Sequence, residues 1–123
     1  MLDMHDSILF IQMQLTARFA AVPTPPLQGV KVGVSKNVRS PDVHPLNGLR
    51  HSAAAGTSGW FIWRGEDLGT ADDFFDPLHV EHLTTWCPEA VPYLALPAGW
   101  RFLLAPGYED VWFDESLLNI EGS

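Results

Sequence analysis

The run Ser58-Gly59-Trp60-Phe61-Ile62-Trp63 decides how this chain folds. Trp60 to Trp63 is four consecutive bulky residues, too short for a helix and apolar on both faces. It therefore reads as the central strand, buried on both sides or covered by a helix on one. After it, Glu66, Asp67, Asp72, Asp73 and Asp76 crowd a turn region that also holds Gly65 and Gly69. Pro77 suits the first turn of a helix running to about Trp86, and Pro88 ends that helix or opens another short one to Leu94. Trp100 to Ala105 and Val111 to Phe113 are strand-like runs separated by Pro106, Gly107 and Tyr108, which reads as a hairpin. Asp114 can cap a last helical turn through Leu118.

Working back from the central strand, Ser35 to Ser58 holds Pro41, Pro45, Gly48, Gly56 and three alanines in a row with no sustained period. It reads as a long loop, or a loop with a short helix around Leu49 to Ala55; such loops are often functional or mobile, or else plain connectors. Val30 to Val34 alternates with Lys31 and Gly33 like a strand. Before it, Asp6 or Ser7 can cap a helix over about 6–21 whose Ile8, Ile11, Leu15 and Phe19 share one face and should pack on a sheet. Pro23, Pro25 and Pro26 stop that helix. The expected fold class is α+β, one domain over 1–123. It has a mainly antiparallel sheet with the N-terminal helix and short helices packed on it, and a core over 30–118.

Composition agrees with a folded chain of this kind. The 123 residues are 46% hydrophobic, 11% aromatic and 18% charged, too apolar for a disordered segment. Ten prolines and ten glycines imply short elements and disfavour a bundle of long helices. The one cysteine, Cys87, cannot form an internal disulfide, which suits a reducing, cytoplasmic setting. Ile8 to Ala21 does not read as a signal peptide, because Asp3 and Asp6 precede it and Gln12, Gln14 and Arg18 interrupt it. No run approaches the roughly 20 apolar residues that a bilayer requires.

Charge divides the chain in two. Up to Arg64, six bases face three acids, a balance of +3; from Gly65 onward twelve acids face only Arg101, a balance of −11, and the total is −8. An acidic field repels nucleic-acid phosphates and anionic membranes and speeds encounter with a basic protein. The expectation is a protein partner with a basic surface, and neither nucleic acid nor membrane.

Chemistry finds weaker signals. His79 and His82 lie three apart in the expected helix, with Asp76 a turn back and Cys87 near, a set that could ligate zinc. No second ligand pair has metal spacing. Asp72, Asp73, Asp76 and Glu66 could hold a hard cation or act as paired carboxylates, but they lack the glycine and glutamate pattern of a calcium loop, and clustered acids on a turn are ordinarily a solvated face. Cys87 with a histidine matches no nucleophile signature, and Gly56, Gly59, Gly65 and Gly69 form no phosphate loop. No catalytic residue, metal ligand or cofactor is assigned. The twelve aromatics from Trp60 to Phe113 exceed what one sheet face needs, and Trp and Tyr are favoured anchors at interfaces. The candidate partner-binding residues are therefore Trp63, Glu66, Asp67, Asp72, Asp73, Asp76, Tyr108, Glu109 and Asp110.

Three features together resemble a known family: the start Ser58-Gly59-Trp60, the step Gly65-Glu66 with the acids after it, and the tail Trp100-Arg101-Phe102 to Asp110-Val111-Trp112. They are similar to the thirty-third immunity family of bacterial polymorphic toxin systems, earlier known only as a domain of unknown function. The resemblance covers roughly Val30 to Leu118 and is loose over the first helix and Ser35 to Ser58. It implies an α+β immunity protein that binds and neutralises a co-produced toxin, with no catalytic residues and no cofactor. The alternatives are a structural or adaptor domain that binds protein in a larger system, or a metal-dependent enzyme using His and Asp.

Overall fold

The computed structural model describes residues 4–53, 56–66, 68 and 73–118. Six strands make one sheet: β1 (Lys31–Ser35), β2 (Leu46–Arg50), β3 (Thr57–Arg64), β4 (Phe75–His79), β5 (Trp100–Ala105) and β6 (Tyr108–Phe113), in the order β4-β1-β3-β2-β5-β6. β1 and β3 run parallel and every other neighbouring pair is antiparallel. An N-terminal helix, α1 (Met4–Arg18), precedes β1. Between β4 and β5 lie a 3-10 turn (Val80–His82), α2 (Leu83–Trp86) and a second 3-10 stretch (Pro88–Tyr93). The α+β architecture expected from the sequence is the one observed, with β3 inside the sheet and the β5–β6 hairpin turning at Pro106-Gly107.

Side chains alternate across a strand, so register sorts them into two faces. On one face Val32, Val34, Leu46, Trp60, Ile62, Leu78 and Phe102 meet Leu15 of α1 and Leu83, Cys87, Val91 and Leu94 of the segment after β4, forming the main core. Phe102 is clamped there, stacked on Tyr93 at 4.8 Å and tilted against Trp60 at 5.6 Å. On the other face Leu49, Trp63 and Leu117 form a smaller cluster, with Phe61, Phe74 and Phe75 packed against it. Leu117 comes from a final 3-10 turn (Glu115–Leu118), which Asp114 caps by accepting the Ser116 N–H at 3.1 Å.

The stretch expected to be a long loop contains β2, a strand paired on both sides and buried along its length. Leu46-Asn47-Gly48-Leu49-Arg50 lacks the alternation that announces a strand, because its polar residues are held inside by hydrogen bonds. Asn47 Nδ2 donates to the carbonyls of Trp63 and Gly65. Gly48 has no side chain because Phe102 occupies the space: a Cβ there would sit 2.2 Å from the Phe102 ring.

The other differences are local. Pro77 does not open a helix but lies within the edge strand β4, where a proline is tolerated at a position whose N–H would face solvent. α1 ends at Arg18, ahead of the prolines: the chain reverses through Ala20 at φ 56°, and the Ala21 N–H returns to the Thr16 carbonyl. Ile11, expected on the inner face of α1, is 47% exposed. Gln12 takes the inner place because its Nε2 donates to the Val91 carbonyl at 3.0 Å.

Two arginines of the N-terminal half are buried structural ties. Arg64 donates to the Val38 carbonyl and to Glu89 at 2.9 Å, pinning the turn after β1 to the segment after α2. Arg50, 6% exposed, donates to the carbonyls of Ser58, Thr24, Leu94 and Leu96, and no carboxylate meets it among the described residues. Burial pushes its guanidinium down to about 10, which leaves it charged at neutral pH.

Candidate functional site

The register places two of the chain's acidic segments, the turn after β3 and the start of β6, at one end of the sheet. β3 ends at Arg64, opposite Leu46 at the start of β2, and Leu46 in turn faces Leu104 near the end of β5. β6 starts beside it at Tyr108, while β1 ends at Ser35 opposite Phe75, the first residue of β4. The connections after β1, after β3 and between β5 and β6 therefore all lie at one end of the sheet. From the β4 edge to the β6 edge this end spans five interstrand gaps, about 24 Å.

The expected partner-binding residues distribute along that end. Glu66 follows β3 and is exposed, as are Asp73 just before β4 and Asp76 within it. Tyr108 is 55% exposed at the start of β6, followed by exposed Glu109 and Asp110. Asp67 and Asp72 lie outside the described residues. Trp63 comes to the same end but is 4% exposed, under the cluster of Phe74, Phe75 and Leu117. Its ring meets Phe75 at 6.2 Å, and its indole N–H has no partner among the described residues.

Two cations missed at the sequence level sit among these acids. Lys36 Nζ donates to the Asp76 carboxylate at 3.0 Å and to the Asp73 carbonyl at 2.7 Å. Arg18 donates to Glu109 at 2.6 Å, and the Tyr93 hydroxyl donates to the same carboxylate. The Arg18 hydrogen bond, then that from Tyr93, holds Glu109 below the usual carboxylate range. Burial first, and then the Glu109 carboxylate, raises the Tyr93 phenol. Neither contact has a sequence signal, since both join segments far apart in the chain. Glu66, Tyr108 and Asp110 project into solvent without a cation paired to them among the described residues.

Beside the acidic end lies the sheet face that α1 does not cover. Gly33 leaves room for the Phe61 and Phe75 rings to meet edge to face at 5.0 Å across β1. A cleft of about 520 Å³ opens there, lined in part by Gly33, Phe61, Phe75, Pro77, His51 and Lys31. Phe61, Phe75, Leu103 and Trp112 are half-buried on this face, and Tyr108 and Asp110 project from it by alternation with Trp112. The result is an aromatic surface bordered by carboxylates.

Catalytic geometry does not assemble at the residues considered for it. His79 ends β4 and His82 ends the following 3-10 turn, with their rings edge to face at 6.0 Å. Asp76 is not a helical turn from them but earlier in β4, paired with Val34. No group of three His, Cys, Asp or Glu side chains converges among the described residues. Cys87 is fully buried, and its thiol is pushed up to about 11, first by burial and then by Glu89. No helix among the described residues is long and apolar enough to cross a membrane.

A family model described as the Imm33-like domain matches residues 11–114. No curated protein and no solved structure matches the chain.

Proposed function

The chain belongs to the Imm33-like domain family, and from that premise we propose that it is a cytoplasmic immunity protein that binds and neutralises a cognate bacterial toxin without catalysis or a cofactor. Family membership carries this reading. The toxin is met at the acidic end of the sheet, where Glu66, Asp73, Asp76, Glu109 and Asp110 present carboxylates to a basic patch; Asp67 and Asp72, outside the described residues, join them by their place in the sequence. Tyr108 and the half-buried aromatics of the open face supply apolar anchors. Trp63 acts from beneath, as the floor on which Phe74 and Phe75 rest.

The gathering of these acids by separate connections at one end supports the assignment, as does the net charge of −8. Complementary fields raise the rate of encounter more than they deepen final affinity. The test co-expresses the chain with a toxin domain sought among the neighbouring genes, then measures association of the purified pair. Wild type should restore growth and form a stable complex. Reversing Asp72, Asp73 and Asp76 to lysine should slow association at least about tenfold at low salt while leaving the fold intact. Growth rescue with an unchanged association rate would sink the site assignment; failure of the wild-type chain to bind that toxin would sink the function.

A further inference from the structure

β6 is an outer strand of the sheet, paired with β5 on one side only. The hairpin register decides which of its backbone groups face outward. The Asp114 N–H donates to the Gly99 carbonyl at 2.7 Å, so by antiparallel alternation Trp112, Asp110 and Tyr108 turn their N–H and C=O groups towards β5. Glu109, Val111 and Phe113 turn theirs away, and among the described residues no backbone group meets them. No proline interrupts this row, whereas Pro77 interrupts the one on β4. The side chains alternate as well. Val111 packs against the main core and Glu109 is held by Arg18 and Tyr93, whereas Tyr108, Asp110 and Trp112 lie on the open face. Asp110 is exposed and has no cation paired to it among the described residues; on β4, Asp76 already holds Lys36.

We infer that β6 takes a further strand from a partner protein, an extended segment in which cationic side chains alternate with apolar ones. The partner is the toxin proposed above, so the inference rests on that reading and adds how the toxin is held. Backbone pairing at Glu109, Val111 and Phe113 supplies the attachment, and the side chains of β6 choose the strand. Asp110 would occupy a non-hydrogen-bonded position of the new ladder, where opposed Cα atoms are about 4.5 Å apart and side chains lie closest. A lysine or arginine opposite it meets a carboxylate that has no other cation. Tyr108, two residues along on the same face and 55% exposed, offers its ring to the stem or guanidinium of that cation. On the other face half-buried Val111 and 49% exposed Phe113 call for apolar neighbours. Charge disfavours a second copy as occupant. Its β6 would bring another Glu109 and Asp110, on a molecule whose net charge is also −8.

Nuclear magnetic resonance of the whole chain with a defined probe tests this. The probe is a disulfide-closed β-hairpin peptide with one strand Val-Arg-Val-Arg-Val, rigid so that little is lost in ordering it. A Kd on the order of 0.1 mM is expected at about 0.05 M NaCl. With about 1 mM hairpin, the N–H groups of Glu109, Val111 and Phe113 should then exchange with water about tenfold more slowly. Raising NaCl to about 0.5 M, replacing the arginines of the hairpin by glutamate, or Asp110→Lys in the protein should each weaken binding at least about fivefold. Methylating the hairpin amides that face β6 keeps every side chain and should abolish binding, because it removes the donors of the ladder. No slowing at about 1 mM hairpin, or equal binding by the methylated hairpin, would overturn the inference. So would slowing at the same amides when the chain alone is concentrated to about 1 mM, which would make a second copy the occupant. All of these outcomes are read without a toxin, so they stand apart from the failure of a toxin domain to bind.

Discussion

Replacing Arg50 by methionine tests whether a buried cation without an acid partner holds three segments of this protein together. The guanidinium reaches the carbonyls of Ser58 in β3 at 2.9 Å, Thr24 in the proline-rich segment at 2.7 Å, and Leu94 and Leu96 after the second 3-10 stretch at 3.2 and 2.8 Å. Leu94 keeps a second donor, the Trp60 indole N–H at 2.9 Å. The other three carbonyls lose this donor. At about 1–2 kcal/mol for each under-satisfied buried acceptor, the loss is about 3–6 kcal/mol. Relief from carrying a desolvated cation offsets part of it, which leaves a net destabilisation of about 3 kcal/mol. With a urea slope of about 1.5 kcal/mol/M, the unfolding midpoint should fall by about 2 M. Arg50→Lys should lose nearly as much, because a single ammonium cannot reproduce the planar fork. In amide exchange, the Thr24 N–H, which donates to Ala95, should lose protection along with the midpoint. A destabilisation below about 1 kcal/mol for the methionine variant would refute the reasoning and show that water replaces the guanidinium.

Two further outcomes follow from described contacts. Gly48→Ala forces a Cβ against Phe102 in the middle of the sheet and should cost about 1–3 kcal/mol by overpacking, read as a fall in thermal midpoint of roughly 5–12 °C. Glu109 is held below its ordinary range when folded, so its contribution to stability is present above the unfolded carboxylate value, about 4.3, and is lost as pH falls through the folded value. Glu109→Gln should therefore be less stable than wild type at neutral pH, and the two stability curves should converge in urea titrations as pH falls far enough to protonate the folded carboxylate.

The parts of this fold that could be read from the chain are those whose signal is local. Trp60 to Trp63 and the Trp100–Phe113 hairpin are dense in strand-forming residues and bounded by Gly and Pro, and each makes the strand expected of it. β2 was hidden because its stability comes from partners distant in sequence: Asn47 bonds 16 and 18 residues away, and Gly48 is explained only by Phe102. β4 was hidden because Pro77 is equally at home starting a helix or in an edge strand, and only the sheet order decides. At the site, the acids were evident from composition, but their collection at one end follows from topology. The burial of Trp63 depends on where Leu117, 54 positions later, comes to rest. The inner side of α1 was hidden by the same cause: Gln12 displaces Ile11 from it only because the Val91 carbonyl, 79 positions later, accepts a hydrogen bond from its amide.

The two outer strands of the sheet bear on solubility. Each leaves a row of backbone donors and acceptors free to template another chain, the usual start of edge-to-edge aggregation. At one border Pro77 removes a donor from β4 and Asp76 sits beside it; at the other, β6 opens with Glu109 and Asp110. A strand docking at either border would have to bury a carboxylate or meet a gap in its hydrogen-bond ladder. These edge carboxylates thus oppose the addition of strands from another copy. Neutralising them should leave the isolated chain prone to fibrous self-assembly even where its folded stability is unchanged.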